Sequence, residues 1–202
     1  MINRMRNLWP LLIAGSIGAM GVQVAAADDY QLLVGSYTAG QSQGIYRLAF
    51  DSATGQIDAS PLQVINSENP SWLTLSKDQQ RLFVVNENGP GQADPVGRVS
   101  SYAIDPKTHE LSLINQVQSL GNEPTHSGLS LDASHLFVSN YSVSEDPGGT
   151  LAVLPLAADG TLKPVVQMSS HPASRVNPER QMSAHVHSTV SSPDGNYVFS
   201  ND

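Results

Sequence analysis

One apolar segment recurs along this chain at nearly even intervals. QQRLFVVNE closes at Glu87, ASHLFVSNY at Tyr141 and DGNYVFSND at Asp202, each ending in a polar pair after a polar turn. LLVGSYT, running through Tyr37, is a fainter first copy. A second series, GIYRLAFDSATGQI, RVSSYAIDPKTHEL and TLAVLPLAADGTLK, places Phe50, Ile104 and Leu156 in register. The period is about 53 residues, and self-similarity of that length means a chain built of stacked supersecondary units.

Each unit resolves into four short strands, which in the best-preserved copy read PSWLTLS, RLFVVNE, RVSSYAID and LSLINQVQS. The second is almost continuously apolar and the third alternates, as strands do when sheets cover both of their faces. Asp, Pro and Gly residues mark tight turns at Asp51 to Gly55, Asp105 to Thr108 and Ala158 to Gly160. No window beyond the first residues has a helical period. The pattern predicts an all-β fold, a β-propeller of four-stranded antiparallel blades. A β-solenoid would show shorter coils, and a sandwich would not repeat so regularly. Propellers have roughly four to eight blades, whereas this chain divides into about 3 to 3.5 copies of its period. The expectation is therefore an incomplete ring, with the closing blades outside this chain and open sheet edges at both ends.

The first residues have a different layout. Arg4 and Arg6 precede an apolar run from Leu8 to Val22, and Ala25-Ala26-Ala27 follows. This predicts a cleaved secretory signal over residues 1–27 and a propeller domain over 28–202. The run is short for a membrane span and is broken by Pro10 and several glycines. Met5 separates the two arginines, so a general secretion signal fits better than a twin-arginine one. A periplasmic or secreted product is expected, with no membrane contact after cleavage. The net charge of −8 becomes ~−10 once Arg4 and Arg6 are removed, a surface that repels nucleic acid and anionic membranes. The chain has no cysteine, which excludes disulfides, thiolate zinc sites and a cysteine nucleophile.

Antiparallel pairing brings the end of each second strand to the rim where a first strand begins. Tyr37, Glu87, Asn140, Tyr141, Asn201 and Asp202 belong to those ends, and His126, His185 and His187 to those starts. All are expected at one mouth, where propeller loops converge on a ligand. His185 and His187 lie two apart, so in a strand both project to one side. They could act as acid and base or bond the rim; no third ligand has matching spacing, so no metal is expected. His126 and Glu87 are equally eligible as a base. Arg180 lies in a long connection from about Ser169 to Ala184, and its guanidinium could grip a carboxylate or phosphate, or steady an oxyanion. Other features carry less. His109 and His135 fall in turns away from the mouth, and Ser188 lacks a GxSxG elbow. The loop from Gly89 to Gly97 lacks the Gly-Lys-Ser/Thr ending of a phosphate loop, and Ser144 to Gly149 reads as a hydrated surface loop.

From about Asp29 to the end, the phrases LLVGSYT, NPSWLTLSKDQQRLFVVNE, PTHSGLSLDASHLFVSNYS, GGTLAVLPLAADGTL and SPDGNYVFSND resemble the lactonase-type propellers. That family includes propeller-type 6-phosphogluconolactonases and fungal carboxymuconate cyclases. The most specific stretch is NPERQMSAHVHS, Asn177 to Ser188. The resemblance implies a seven-bladed parent of which this is the N-terminal half, and hydrolysis of a sugar lactone without a cofactor. Catalysis is then expected from His126, Arg180, His185, His187 and Glu87, with Tyr37, Asn140, Tyr141 and Asn177 as substrate contacts. The expected partners are a small-molecule lactone or sugar acid and the missing C-terminal half, without which the chain is expected to be inactive. Export points away from 6-phosphogluconolactone, mainly a cytosolic metabolite, and toward a broader lactone. Two alternatives stand beside this: a cyclase acting on muconate-like diacids, for which two arginines would be expected at the mouth, and a non-catalytic binding propeller.

Overall fold

The computed structural model describes residues 29–142 and 148–202. The predicted signal and most of the 144–149 loop lie outside the described residues. What is described is strand and turn throughout, with no helix among the described residues.

Four sheets follow one another along the chain. The first comprises β1 (Asp29–Gly35), β2 (Gly44–Asp51), β3 (Gln56–Ile57) and β4 (Gln63–Asn66), with β3 and β4 both paired along the far edge of β2. The second is β5 (Pro70–Leu75), β6 (Arg81–Asn86), β7 (Arg98–Ile104) and β8 (Leu111–Gln118), in that spatial order. The third repeats it as β9 (Pro124–Leu129), β10 (His135–Asn140), β11 (Thr150–Pro155) and β12 (Gln167–Ser170). A final pair, β13 (Ser188–Ser191) and β14 (Val198–Asn201), supplies the first two strands of a fourth copy. All pairings are antiparallel. These are the four-stranded blades the repeat predicts, and each strand of the best-preserved copy falls where the sequence sets it.

The near-continuous apolar run of β6 has a direct cause. Phe83 and Val85 point to the third blade and pack with Leu136, Val138, Ala152 and Leu154. Leu82 and Val84 point the other way and pack with Ile45 of the first blade. A strand sandwiched between two sheets must be apolar on both faces, so the period-2 alternation disappears. Those two inter-blade layers are the core, and removing so much apolar area from water at roughly 25 cal/mol per Å² is what holds neighbouring blades together.

The turns away from the mouth repeat atom by atom. In the β5–β6, β9–β10 and β13–β14 hairpins a serine hydroxyl donates to an aspartate two residues on: Ser76 to Asp78 at 2.6 Å, Ser130 to Asp132 at 2.7 Å, and Ser192 to Asp194 at 2.5 Å. The same carboxylate takes the amide of Gln80, Ser134 or Asn196, and the serine oxygen takes that of Arg81, His135 or Tyr197. Between β2 and β3 Gly55 donates to the Asp51 carbonyl, and between β7 and β8 His109 donates to that of Asp105, both at 2.8 Å, closing two of the turns expected from sequence. His109 is exposed there, but His135 opens β10 half-buried, with Nδ1 2.8 Å from the Ser134 hydroxyl, rather than lying in a solvated turn.

Candidate active site

Main-chain bonds build the rim before any side chain is considered. The Glu87 amide donates to the Asn69 carbonyl, that of Tyr141 to Glu123 and that of His187 to Asn201, each closing a second strand onto the start of a first one. The Glu123 amide donates in turn to the Asn88 carbonyl at 2.8 Å, tying the third blade to the second. Ends of separate strands are thus held in one line.

Tyr141 is the centre of the densest group. The ring of His185 stacks on it, with centroids 4.7 Å apart and planes 19° apart, and the ring of His187 meets it edge-on at 5.4 Å. Arg180 reaches from its long connection and donates from Nη2 to the Tyr141 hydroxyl at 3.3 Å. Residues 184–187 precede β13 rather than belonging to it, so strand alternation does not explain why both histidines meet the Tyr141 ring. Val186 between them is buried. His185 is further fixed by Nδ1, 2.7 Å from the Ser142 carbonyl and 3.3 Å from that of Tyr141, and by its amide, which donates to Asp202 at 2.7 Å.

His126 stands on β9 with Trp72 of β5 against its ring, centroids 4.2 Å apart. Its Nδ1 accepts the amide hydrogen of Thr189 on β13 at 3.3 Å. Partial burial and the neighbouring charge of His187 both lower its pKa, so the ring is held neutral at pH 7. On the other side of the rim the Tyr37 hydroxyl donates to Glu87 at 2.8 Å. Partial burial, that bond, and the charges of Glu87 and Glu123 push the phenol up to about 12. Glu123 therefore stands close to this pair.

Seven of the candidate residues, Tyr37, Glu87, His126, Tyr141, Arg180, His185 and His187, thus fall into two linked groups on this rim. The other two candidates lie outside these groups. Asn140 was expected as a substrate contact but is 0% exposed, its Nδ2 donating to Thr150 Oγ1 at 3.2 Å. The last residue of β10 turns its side chain into the blade, against Gly121, where an added Cβ would come within 2.4 Å of it. Asn177 forms a turn, its Oδ1 accepting the Glu179 amide and its carbonyl those of Arg180 and Gln181. It shapes the Arg180 loop from its base.

The sequence reading expected Asp202 at this mouth but overlooked Trp72 and Glu123. Counting back from the hairpin serines would have found both: Trp72 is four residues before Ser76 as His126 is before Ser130, and Glu123 matches Asn69, seven before. Among the described residues no three His, Cys, Asp or Glu side chains group as a metal site would require. A cleft of about 210 Å³ lined by Arg47, Gln79, His109 and Leu111 lies among the hairpins, and none of the candidate residues lines it.

Residues 31–202 match a family model described as Lactonase, 7-bladed beta-propeller. A solved periplasmic gluconolactonase of Pseudomonas aeruginosa is 55% identical, with a TM-score of 0.82 over 87% of this chain and 47% of that one. A 6-phosphogluconolactonase of Bacillus subtilis is 30% identical over 84% of this chain and 45% of its own length. A 6-phosphogluconolactonase of Formosa agariphila is 29% identical over 85% of this chain and 46% of its own. The chain spans about half the length of the curated relatives it matches.

Proposed function

The chain belongs to the seven-bladed lactonase β-propeller family, and from that membership we propose that the protein is a hydrolase of sugar lactones. The observation that carries this is the group of Arg180, His185 and His187 around the Tyr141 ring, with His126 nearby. Opening a lactone needs a base to take a proton from water and a donor or cation to stabilise the oxyanion that forms at the carbonyl carbon. Imidazoles and a guanidinium on one rim are suited to both tasks.

The relatives bear names for phosphorylated and unphosphorylated lactones alike. The P. aeruginosa gluconolactonase is named as periplasmic, and a periplasmic location is the reading we adopt for this protein, in line with the signal expected over residues 1–27. The missing blades would complete the mouth. A diacid cyclase would need a second guanidinium, and among the described residues Arg180 is the arginine bonded to the rim tyrosine.

The test is hydrolysis of glucono-δ-lactone and of its 6-phosphate by the complete protein without its first 27 residues, each against the spontaneous rate. Turnover of either lactone above background, lowered by Arg180→Ala, is the expected result. Turnover absent with both would favour a binding propeller, and turnover indifferent to Arg180 and to the histidine pair would put the catalytic site elsewhere.

A further inference from the structure

Resting on the lactone-hydrolase reading, we infer that two rim histidines hold opposite, fixed tautomers with opposite jobs. His185 Nε2 is the base that takes a proton from water, and His126 Nε2–H is the neutral donor to the lactone carbonyl.

The argument is about which ring nitrogen carries the proton. A carbonyl oxygen can only accept. His185 Nδ1, 2.7 Å from the Ser142 carbonyl, must therefore carry hydrogen. A neutral imidazole has one N–H, so His185 Nε2 is left with its lone pair. At His126 the main chain makes the reverse choice. Its Nδ1 faces the amide N–H of Thr189, which can only donate, so Nδ1 holds the lone pair and Nε2 the proton.

Neither ring can readily turn over to exchange these roles. His185 is stacked on Tyr141 with planes 19° apart, and His126 lies against Trp72 at 4.2 Å. Protonating His126 at both nitrogens would set its Nδ1 hydrogen against that of Thr189, and His187 beside it adds a like charge. The groups around His185 are Tyr141, His187 and Asp202, with Arg180 across the tyrosine ring. Among the described residues no hydrogen bond fixes the ring of His187, and that side chain is exposed, so it is the weaker choice for either role.

The chemistry balances with these two groups. His185 Nε2 takes a proton from water as the water oxygen bonds to the lactone carbonyl carbon. The carbonyl π electrons move to oxygen, where His126 Nε2–H, already neutral, donates without having to lose its proton. A neutral imidazole can polarise a carbonyl in this way. Collapse of the intermediate breaks the ring C–O bond, and the proton on His185 passes to the departing alkoxide. The product is the open hydroxy acid, which releases its carboxyl proton to solvent, and both histidines return to their starting states.

The test has a readout independent of turnover. In the complete protein with ¹⁵N-labelled imidazoles at neutral pH, two-dimensional spectra report each tautomer, with assignments from His126→Gln and His185→Gln. His126 is expected as the Nε2–H form and His185 as the Nδ1–H form. In kinetics, His185→Gln should lose about 10²- to 10⁴-fold in kcat. His126→Gln keeps an N–H donor in place and should stay within about tenfold, whereas His126→Leu should lose about 10²-fold or more. The same tautomer at both rings, or equal losses in the two glutamine variants, overturns the assignment. Absence of turnover in the unsubstituted protein would instead defeat the hydrolase reading, and the spectra would still decide the tautomers.

Discussion

At the scale of single residues, burial separates groups that look alike in the sequence. Asn140 and Tyr141 are neighbours, yet one is enclosed in the blade and the other carries the histidines and Arg180. Asn140→Ala should lower stability by about 1–3 kcal/mol, since it removes a buried bond and leaves Thr150 Oγ1 unpartnered. Activity per folded molecule should hardly change, which denaturant titration and kcat/KM on the same sample would check. Arg180→Ala is the opposite case. The side chain is exposed, so the midpoint of unfolding should stay put while kcat/KM falls by about 10²-fold, the usual cost of removing one stabiliser of a developing oxyanion. Tyr141→Phe keeps the stacked ring and removes only the hydroxyl that accepts from Arg180. A loss of about tenfold or less is expected, as for a neutral partner that orients a charge.

The elements repeat more faithfully than their sequence does, and the hairpins show why. Gln79, Ala133 and Gly195 occupy the same turn position, with φ of 57°, 55° and 73°. Only glycine takes that left-handed conformation without strain, so the third copy has the residue the first two lack. Gln79→Gly and Ala133→Gly should each be stabilising by up to about 1 kcal/mol, the relieved strain exceeding the extra freedom of the unfolded chain. Thermal midpoints of the single variants would reveal the sign. The aspartates of these turns set an acid limit. Side-chain bonds from Ser130 and Ser134 and the Ser134 amide hold Asp132 at about 2, and Asp78 and Asp194 are lowered by similar bonds. Because the folded value lies below the unfolded one near 3.9, the stabilisation is complete above pH ~4 and disappears as pH falls toward ~2. Midpoints measured over that window should fall steeply, and less steeply in Asp132→Ala. The strands, the blade boundaries and most of the rim were legible from the repeat, because period, turn residues and strand ends are local properties. The phase of the last copy was not. The apolar ending placed Asp202 opposite Glu87 and Tyr141, whereas the hairpin bonds of Ser76, Ser130 and Ser192 align it with Asn86 and Asn140. A strand apolar at consecutive positions carries no alternation to fix its phase, so a slip of one residue leaves the pattern intact. The side-chain directions of Asn140 and Trp72 depend on neighbouring strands, beyond any local signal.

For the molecule as a whole, the question is what keeps separate sheets in fixed rotation about a common axis, since apolar layers alone are non-directional. The outer strands answer it with side-chain amides. Gln63 donates to the Leu111 carbonyl and accepts the Leu111 amide, both at 2.9 Å. One blade further on, Asn115 does the same to Leu162, at 2.9 and 3.0 Å. Each clamp takes the main chain of the next blade where its outermost segment begins. Arginines add a second tie at the hairpins, Arg47 donating to the Thr108 carbonyl at 3.0 Å and Arg81 to that of Asp159 at 2.7 Å. A sheet that slid along its neighbour would keep much of its apolar contact but lose both clamp bonds, so the amides select the angle that the core only permits. Truncating one clamp leaves a donor and an acceptor of the next blade unpaired. Gln63→Ala and Asn115→Ala should therefore each lose about 1–3 kcal/mol. They sit in different interfaces and share no partner, so their effects should add within about 0.5 kcal/mol. Denaturant unfolding of the two single variants and the double variant measures this. A double variant much less stable than the sum would mean that the middle blade passes strain between its two interfaces, and that rim residues contributed by different blades, such as His126 and Arg180, depend on these distant amides for their alignment.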